Sequence, residues 1–189
     1  MLRESLSLCP TPHPDRHFSL NNLATALFDC FRRTDLMTDL EEAILLHRES
    51  LSLCPPSHPS HPSSLYSLAV ALRDRFRKTG LATDLEEAIL LLRESLSFRP
   101  TSHPDRFDSL RSLAYALWDH FDTTGSMTEL EEAVSLLREA LSLSPARSRL
   151  SVLRDLADIL ETRFKENGSQ SDFEEATSLR QEQIGRAHV

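Results

Sequence analysis

RESLSLCP at residues 3–10 recurs unchanged at residues 48–55, returns as RESLSFRP at 93–100 and appears as REALSLSP at 138–145, each start lying 45 residues after the last. A second phrase keeps the same step. DLEEAI begins at Asp39 and Asp84 and becomes ELEEAV at Glu129, then DFEEAT at Asp172, where the step shortens to 43 residues and the His-Pro element is lost near Arg147. Repetition at a fixed period outranks any element-by-element reading. Each unit is one supersecondary motif that buries its apolar face only against its neighbours.

Within the unit, two helical patterns follow each other. Leu20, Leu23, Ala24, Leu27 and Phe31 fall at i, i+3, i+4, i+7 and i+11, a single stripe along a helix. Leu68, Ala69, Leu72 and Phe76 repeat it, as do Leu113, Ala114, Leu117 and Phe121, then Leu156, Ala157, Leu160 and Phe164. The second stripe is Leu40, Ala43, Ile44, His47 and Leu51, in which His47 reads as a core histidine. Small alanines at fixed places let paired helices approach closely. Overpacking at Ala114 or Ala133 is therefore expected to cost more than changes at the loop histidines.

Thr38, Thr83, Thr128 and Ser171 each stand three residues before a Glu, so four capping boxes are expected to start the second helices. The acidic residues there also suit the positive end of the helix dipole, and no catalytic or metal role is needed for DLEE. Pro55, Pro100 and Pro145 close the second helices, because proline lacks the N–H that would continue the turn. Gly80, Gly125 and Gly168 mark the links inside the pairs, with Asp35 in the same place of the first unit.

Composition agrees with an all-α chain and narrows its function. Only four glycines occur in 189 residues, and the net charge is −8. That balance gives no electrostatic reason to approach nucleic acid or an anionic membrane. No apolar run is long enough to span a bilayer, and the first residues do not resemble a signal peptide, so a cytoplasmic protein is expected. Cys9, Cys30 and Cys54 form no CxxC pair and read as reduced thiols. No GxSxG elbow, phosphate loop or dinucleotide fingerprint is present, so no catalytic residue, cofactor or metal is assigned. His13, His58, His61 and His103 cluster before the first helices, beside Pro14, Pro59 and Pro104, and read as helix-start residues.

The LxxLAxxL of the first helices, Ala43, Ala88, Ala133 and Ala176 of the second, and the helix-ending prolines resemble the tetratricopeptide family in its longer, kinesin-light-chain-like form. HPDR at His13 and His103 is similar to the HPD element of that form. The resemblance implies a right-handed superhelical solenoid of antiparallel helix pairs, in units of about residues 11–55, 56–100, 101–145 and 146–182 after a partial unit 1–10. With a period of 45 against the usual 34, both the helix link and the repeat junction are expected to be longer. SLNNLATALF and DLEEAI also look like fungal arrays found ahead of a caspase-like CHAT protease domain. Residues 183–189, QIGRAHV, read as translated adapter sequence and are expected to be a non-native extension. The chain reads as a piece of a longer array whose uncapped ends are expected to fray or self-associate.

In resembling arrays the first helices line the concave groove, which implies a scaffold that binds a peptide or partner protein there. The alternative is a structural or regulatory array joined to an effector such as a protease or NTPase domain, and a full-length transcript separates the two. Comparing the units, the core places stay Leu, Ala and Phe while the groove places vary: Asn21, Tyr66, Arg111 and Arg154; Thr25, Val70, Tyr115 and Asp158; Phe28, Arg73, Trp118 and Glu161. Tyr66, Arg73, Arg111, Tyr115, Trp118 and Arg154 are the candidate partner-binding residues, because aromatics and Arg dominate binding hot spots. They point to an extended or helical peptide carrying acidic and apolar residues.

Overall fold

A computed structural model describes residues 15–187. The readings placed on residues 1–10 and on His13 lie outside them. Among the described residues all regular structure is helical: α1 (Arg16–Thr34), α2 (Met37–Leu53), α3 (His61–Thr79), α4 (Ala82–Ser97), α5 (Arg106–Thr124), α6 (Met127–Leu143), α7 (Ala146–Asn167) and α8 (Gln170–Ala187). The chain divides after Pro100 into two compact units. The first holds α1–α4 and the second α5–α8, each built from two helix pairs packed on one another.

The repeated phrases become legible as contacts. In the first unit, Glu49 at the end of α2 pairs with Arg16 at the start of α1 at 2.8 Å, and Glu94 lies 3.7 Å from His61 in the next pair. In the second unit, Glu139 pairs with Arg106 at 2.6 Å and Glu182 with Arg149 at 3.3 Å. Each contact ties the start of a first helix to the end of its second, as an antiparallel pair requires. The Arg of RES reaches the second Glu of the following DLEE, as Arg48–Glu87 in one unit and Arg138–Glu175 in the other. The Ser is buried, and its hydroxyl donates to the first helix: Ser50 to the His17 carbonyl and Ser95 to that of Pro62, both at 2.7 Å. Exposed pairs of this kind contribute about 1 kcal/mol or less each. Their repetition aligns the helices more than it holds them together.

Burial of the apolar stripes supplies the larger stabilisation. Leu20, Leu40, Leu65, Leu68, Leu72, Leu85 and Leu92 fill the core of the first unit, and Leu110, Leu113, Leu117, Leu130 and Leu137 that of the second. The alanines expected at tight crossings, Ala24, Ala69, Ala114 and Ala157 on first helices and Ala43, Ala88 and Ala133 on second ones, have no exposed surface. His47 is 1% exposed, as expected of a core histidine. α8 departs from the pattern. Thr177 and Arg180 stand where α6 carries Val134 and Leu137, and Phe173 is 47% exposed where Leu130 is buried.

Two expectations are corrected. The second helices start one residue before the threonines, at Met37, Ala82 and Met127, and no side chain caps them. Thr38, Thr83 and Thr128 are thus inside the first turn, and no capping box forms. The oxygen that serves each start comes from the preceding helix: Thr34, Thr79 and Thr124 Oγ1 and Asn167 Oδ1 accept the backbone N–H two residues on. The acid of DLEE instead reaches back nine residues, as Arg75–Asp84, His120–Glu129 and Arg163–Asp172. Arg163's hydrogen bond holds the Asp172 carboxyl below its usual range.

The second correction concerns the link, which is only two residues long in every pair. The added length of the repeat goes into the helices, 19 and 17 residues in the first pair, and into the junctions between pairs. At each link the residue after the first helix is left-handed, with Asp35 at φ 60° and Gly80, Gly125 and Gly168 near 70°, and its N–H bonds the carbonyl of Phe31, Phe76, Phe121 or Phe164 at 2.7 Å. A Cβ at Gly125 would touch nothing, so only the backbone opposes a side chain there. Gly125→Ala is expected to cost about 1 kcal/mol in urea denaturation, and Gly125→Asn less, as Asp35 suggests. A Gly125→Ala variant as stable as the parent removes the argument.

Candidate functional site

The first helices carry the candidate residues, and each unit presents them differently. In the first unit a cavity of about 200 Å³ opens beside α1 and α3, lined among others by Thr25, Phe28, Arg32, His47, Tyr66 and Val70. Four of these are places read from the sequence as variable groove positions. Phe28 is a partial correction: it is only 9% exposed and packs on Phe31, so it floors the cavity instead of projecting from it. The Arg32 guanidinium lies 6.0 Å from its ring centre. Tyr66 is half-buried, and the buried Arg99 guanidinium sits 5.2 Å from its ring, fixing the aromatic face. The His47 Nδ1–H donates to Asn21 Oδ1 at 3.1 Å. Burial lowers its pKa to about 4, so the cavity wall is uncharged there at neutral pH. Arg73 is half-buried two turns beyond Tyr66 on α3, outside the cavity lining.

In the second unit, Arg111, Tyr115 and Arg154 gather around Asp155 of α7. The Tyr115 hydroxyl donates to the Asp155 carboxylate, and Arg111 Nη2 donates both to it at 3.1 Å and to the Tyr115 oxygen at 2.6 Å. Burial and this carboxylate push the Tyr115 pKa up to about 12. Arg154 is more than half exposed, 3.9 Å from the same carboxylate. Trp118 lies one turn beyond Tyr115 on α5 and is half-buried. Arg180 of α8 reaches the groove places Asp158 and Glu161.

Sequence reasoning missed Asp155, and with it the engagement of Arg111 and Tyr115. A signal existed. Ser67 and Ser112 hold the corresponding place in earlier repeats, and an Asp appears there only where the preceding first helix carries Arg and Tyr. The positive charge expected from Arg111 is therefore offset by a carboxylate 8% exposed. An Arg111→Ala variant would strand that acid, so its effect on binding would be mixed with lost stability.

Antiparallel helix pairs with variable first-helix faces and an alanine-tight core define an α-helical repeat fold. Residues 19–62 match the family model of the tetratricopeptide repeat. The rest of the chain shares with its solved neighbours the fold of such repeats, an all-α helical-repeat solenoid. Among solved structures it is similar to the nearly identical TPR-like repeats of a Podosopora anserina protein described as a kinesin light chain, at 21% identity and TM-score 0.63 over 95% of this chain and 83% of that one. A single-substitution variant of that protein aligns with TM-score 0.67 at 23% identity, covering 100% and 86% of the two chains. MamA is similar at 14% identity and TM-score 0.61, over 97% and 87%. Identities this low speak for the shared fold. No curated protein matches the chain in sequence. Among the described residues no helix is long and apolar enough to cross a membrane.

Proposed function

We propose that the chain is a non-catalytic scaffold that seats a peptide or extended partner segment on the first-helix faces of its repeats. The observation that carries this reading is the convergence of Thr25, Phe28, Tyr66 and Val70, four places that vary between repeats, on one cavity of the first unit. Thr25, Tyr66 and Val70 vary between repeats, while Ala24, Leu65 and Ala69, one position away, keep their identity in the core. Tyr66, held by Arg99, offers a rigid aromatic surface, and Arg32 beside Phe28 offers positive charge in a protein of net charge −8. An apolar side chain flanked by a carboxylate suits that combination. Trp118 and Arg154 extend the same chemistry to the second unit, and Arg73 adds charge on α3. The cytoplasm is the proposed setting, supported by the free thiols of Cys30 and Cys54.

Panning a displayed random-peptide library on the purified chain tests the reading. Enrichment of peptides with acidic residues next to aromatic or aliphatic ones is expected, with affinity falling as salt is raised. Trp118, the only tryptophan, reports binding by fluorescence where the peptide reaches α5. Tyr66→Ala should weaken peptides that engage the first unit, and Trp118→Ala those that engage the second, each by about 1 kcal/mol or more, roughly fivefold. Unchanged affinity after both substitutions would place the partner elsewhere and end the proposal.

A further inference from the structure

Folding gathers three side chains that the sequence keeps apart: His17 on the first turn of α1, Cys54 just past α2, and His58 in the junction before α3. One metal-ligating atom of each lies within 4.8 Å of the other two. His17 is 8% exposed and Cys54 3%, while His58 is half-buried and opens the cluster towards solvent. The two imidazoles meet edge to face with centres 4.7 Å apart. We propose that His17, Cys54 and His58 form a binding site for a zinc-class divalent ion, with water completing the fourth position.

The donor set decides the metal. One thiolate and two neutral imidazoles suit zinc, whereas magnesium and calcium require oxygen ligands, and none of the three residues provides one. In tetrahedral zinc the ligand atoms stand roughly 3.5 Å apart, so the side chains need to close by about 1 Å. The backbone around them is already fixed. The Ser50 hydroxyl holds the His17 carbonyl at 2.7 Å, and the Cys54 N–H bonds the Leu51 carbonyl at 3.1 Å. His61 Nδ1 donates to the Cys54 carbonyl at 3.0 Å, so this fourth histidine positions the thiol's backbone and is not a ligand. His58 accepts the Ser60 N–H at Nδ1, 3.1 Å away. Ligation through Nε2 moves the ring proton to Nδ1 and releases that one bond, a small loss against the metal–thiolate and metal–imidazole bonds gained.

The repeat itself argues that the trio is not there for folding. His103 makes the same turn contact as His58, to the Asp105 N–H, so the turn accounts for His58 alone. Pro62 and Arg99 occupy the places of His17 and Cys54 one repeat later, and the chain folds there equally well.

Cobalt(II) titration of the full chain under reducing conditions tests the proposal. One equivalent should produce thiolate-to-cobalt charge transfer in the near-ultraviolet and tetrahedral bands in the visible, both abolished by added zinc. Cys54→Ser should remove the charge-transfer band, and His17→Ala and His58→Ala should each weaken zinc binding at least tenfold while the helical circular dichroism is kept. Cys9→Ser, Cys30→Ser and His103→Ala should leave the spectrum intact. Because His17 is buried and its variant could unfold, the half-buried His58 supplies the second reading. Absence of the charge-transfer band, its survival in Cys54→Ser, or its loss in Cys9→Ser or Cys30→Ser would overturn the assignment.

Discussion

Acidification from pH 7 to pH 4 is expected to remove about 3 kcal/mol of stability through one side chain, His47. It sits on α2 with 1% of its surface exposed, and burial lowers its pKa from 6.5 to about 4. The folded state therefore keeps the imidazole neutral while the unfolded chain takes up a proton below about pH 6.5. Between those values the unfolded state binds more protons, so stability falls as pH falls. The contribution is complete above pH 6.5 and gone below about pH 4. A shift of about 2.5 pKa units at 1.36 kcal/mol each gives roughly 3 kcal/mol. Leu92 and Leu137 occupy this place in later repeats, both fully buried, so His47→Leu should fold without strain. Urea denaturation of parent and variant at pH 7 and pH 4.5 reads the difference. The paired Asp172 loses its contribution at lower pH, its carboxyl being held below 3.8. Parallel pH slopes for the two proteins would mean that His47 is not the group responsible.

The second large effect lies at the alanines. Ala114→Leu and Ala133→Leu are each expected to destabilise by about 1 to 3 kcal/mol, because three added carbons have no space at a crossing where the parent side chain has no exposed surface. His103→Ala should stay within about 0.5 kcal/mol, its contact being one bond in a half-exposed loop. The sequence groups all the loop histidines as tolerant, and the structure divides them. His61 is 6% exposed and bound to the Cys54 carbonyl, so it belongs with the sensitive positions. Denaturation midpoints of the alanine variants equal to that of His103→Ala would show that the crossings are looser than described.

The architecture was readable in the chain because its determinants are local and repeated. A stripe at i, i+3, i+4 and i+7, an alanine at a fixed place and a proline after each second helix act within one or two turns, and comparing four copies separates core places from variable ones. Leu20, Ala24 and Leu40 are buried for the reason their spacing implies. Helix starts were less legible. Whether Thr38 caps α2 or lies inside it depends on the left-handed step at Asp35 and on the Thr34 hydroxyl, a competition that pattern alone does not resolve. The candidate site needed the tertiary structure most. Arg111 and Tyr115 meet an acid 44 and 40 residues downstream, and His17 meets Cys54 and His58 across a repeat junction. Such pairs arise only when one helix pair stacks on the next. Sequence spacing specifies each pair of helices, while the packing between pairs decides which distant side chains touch.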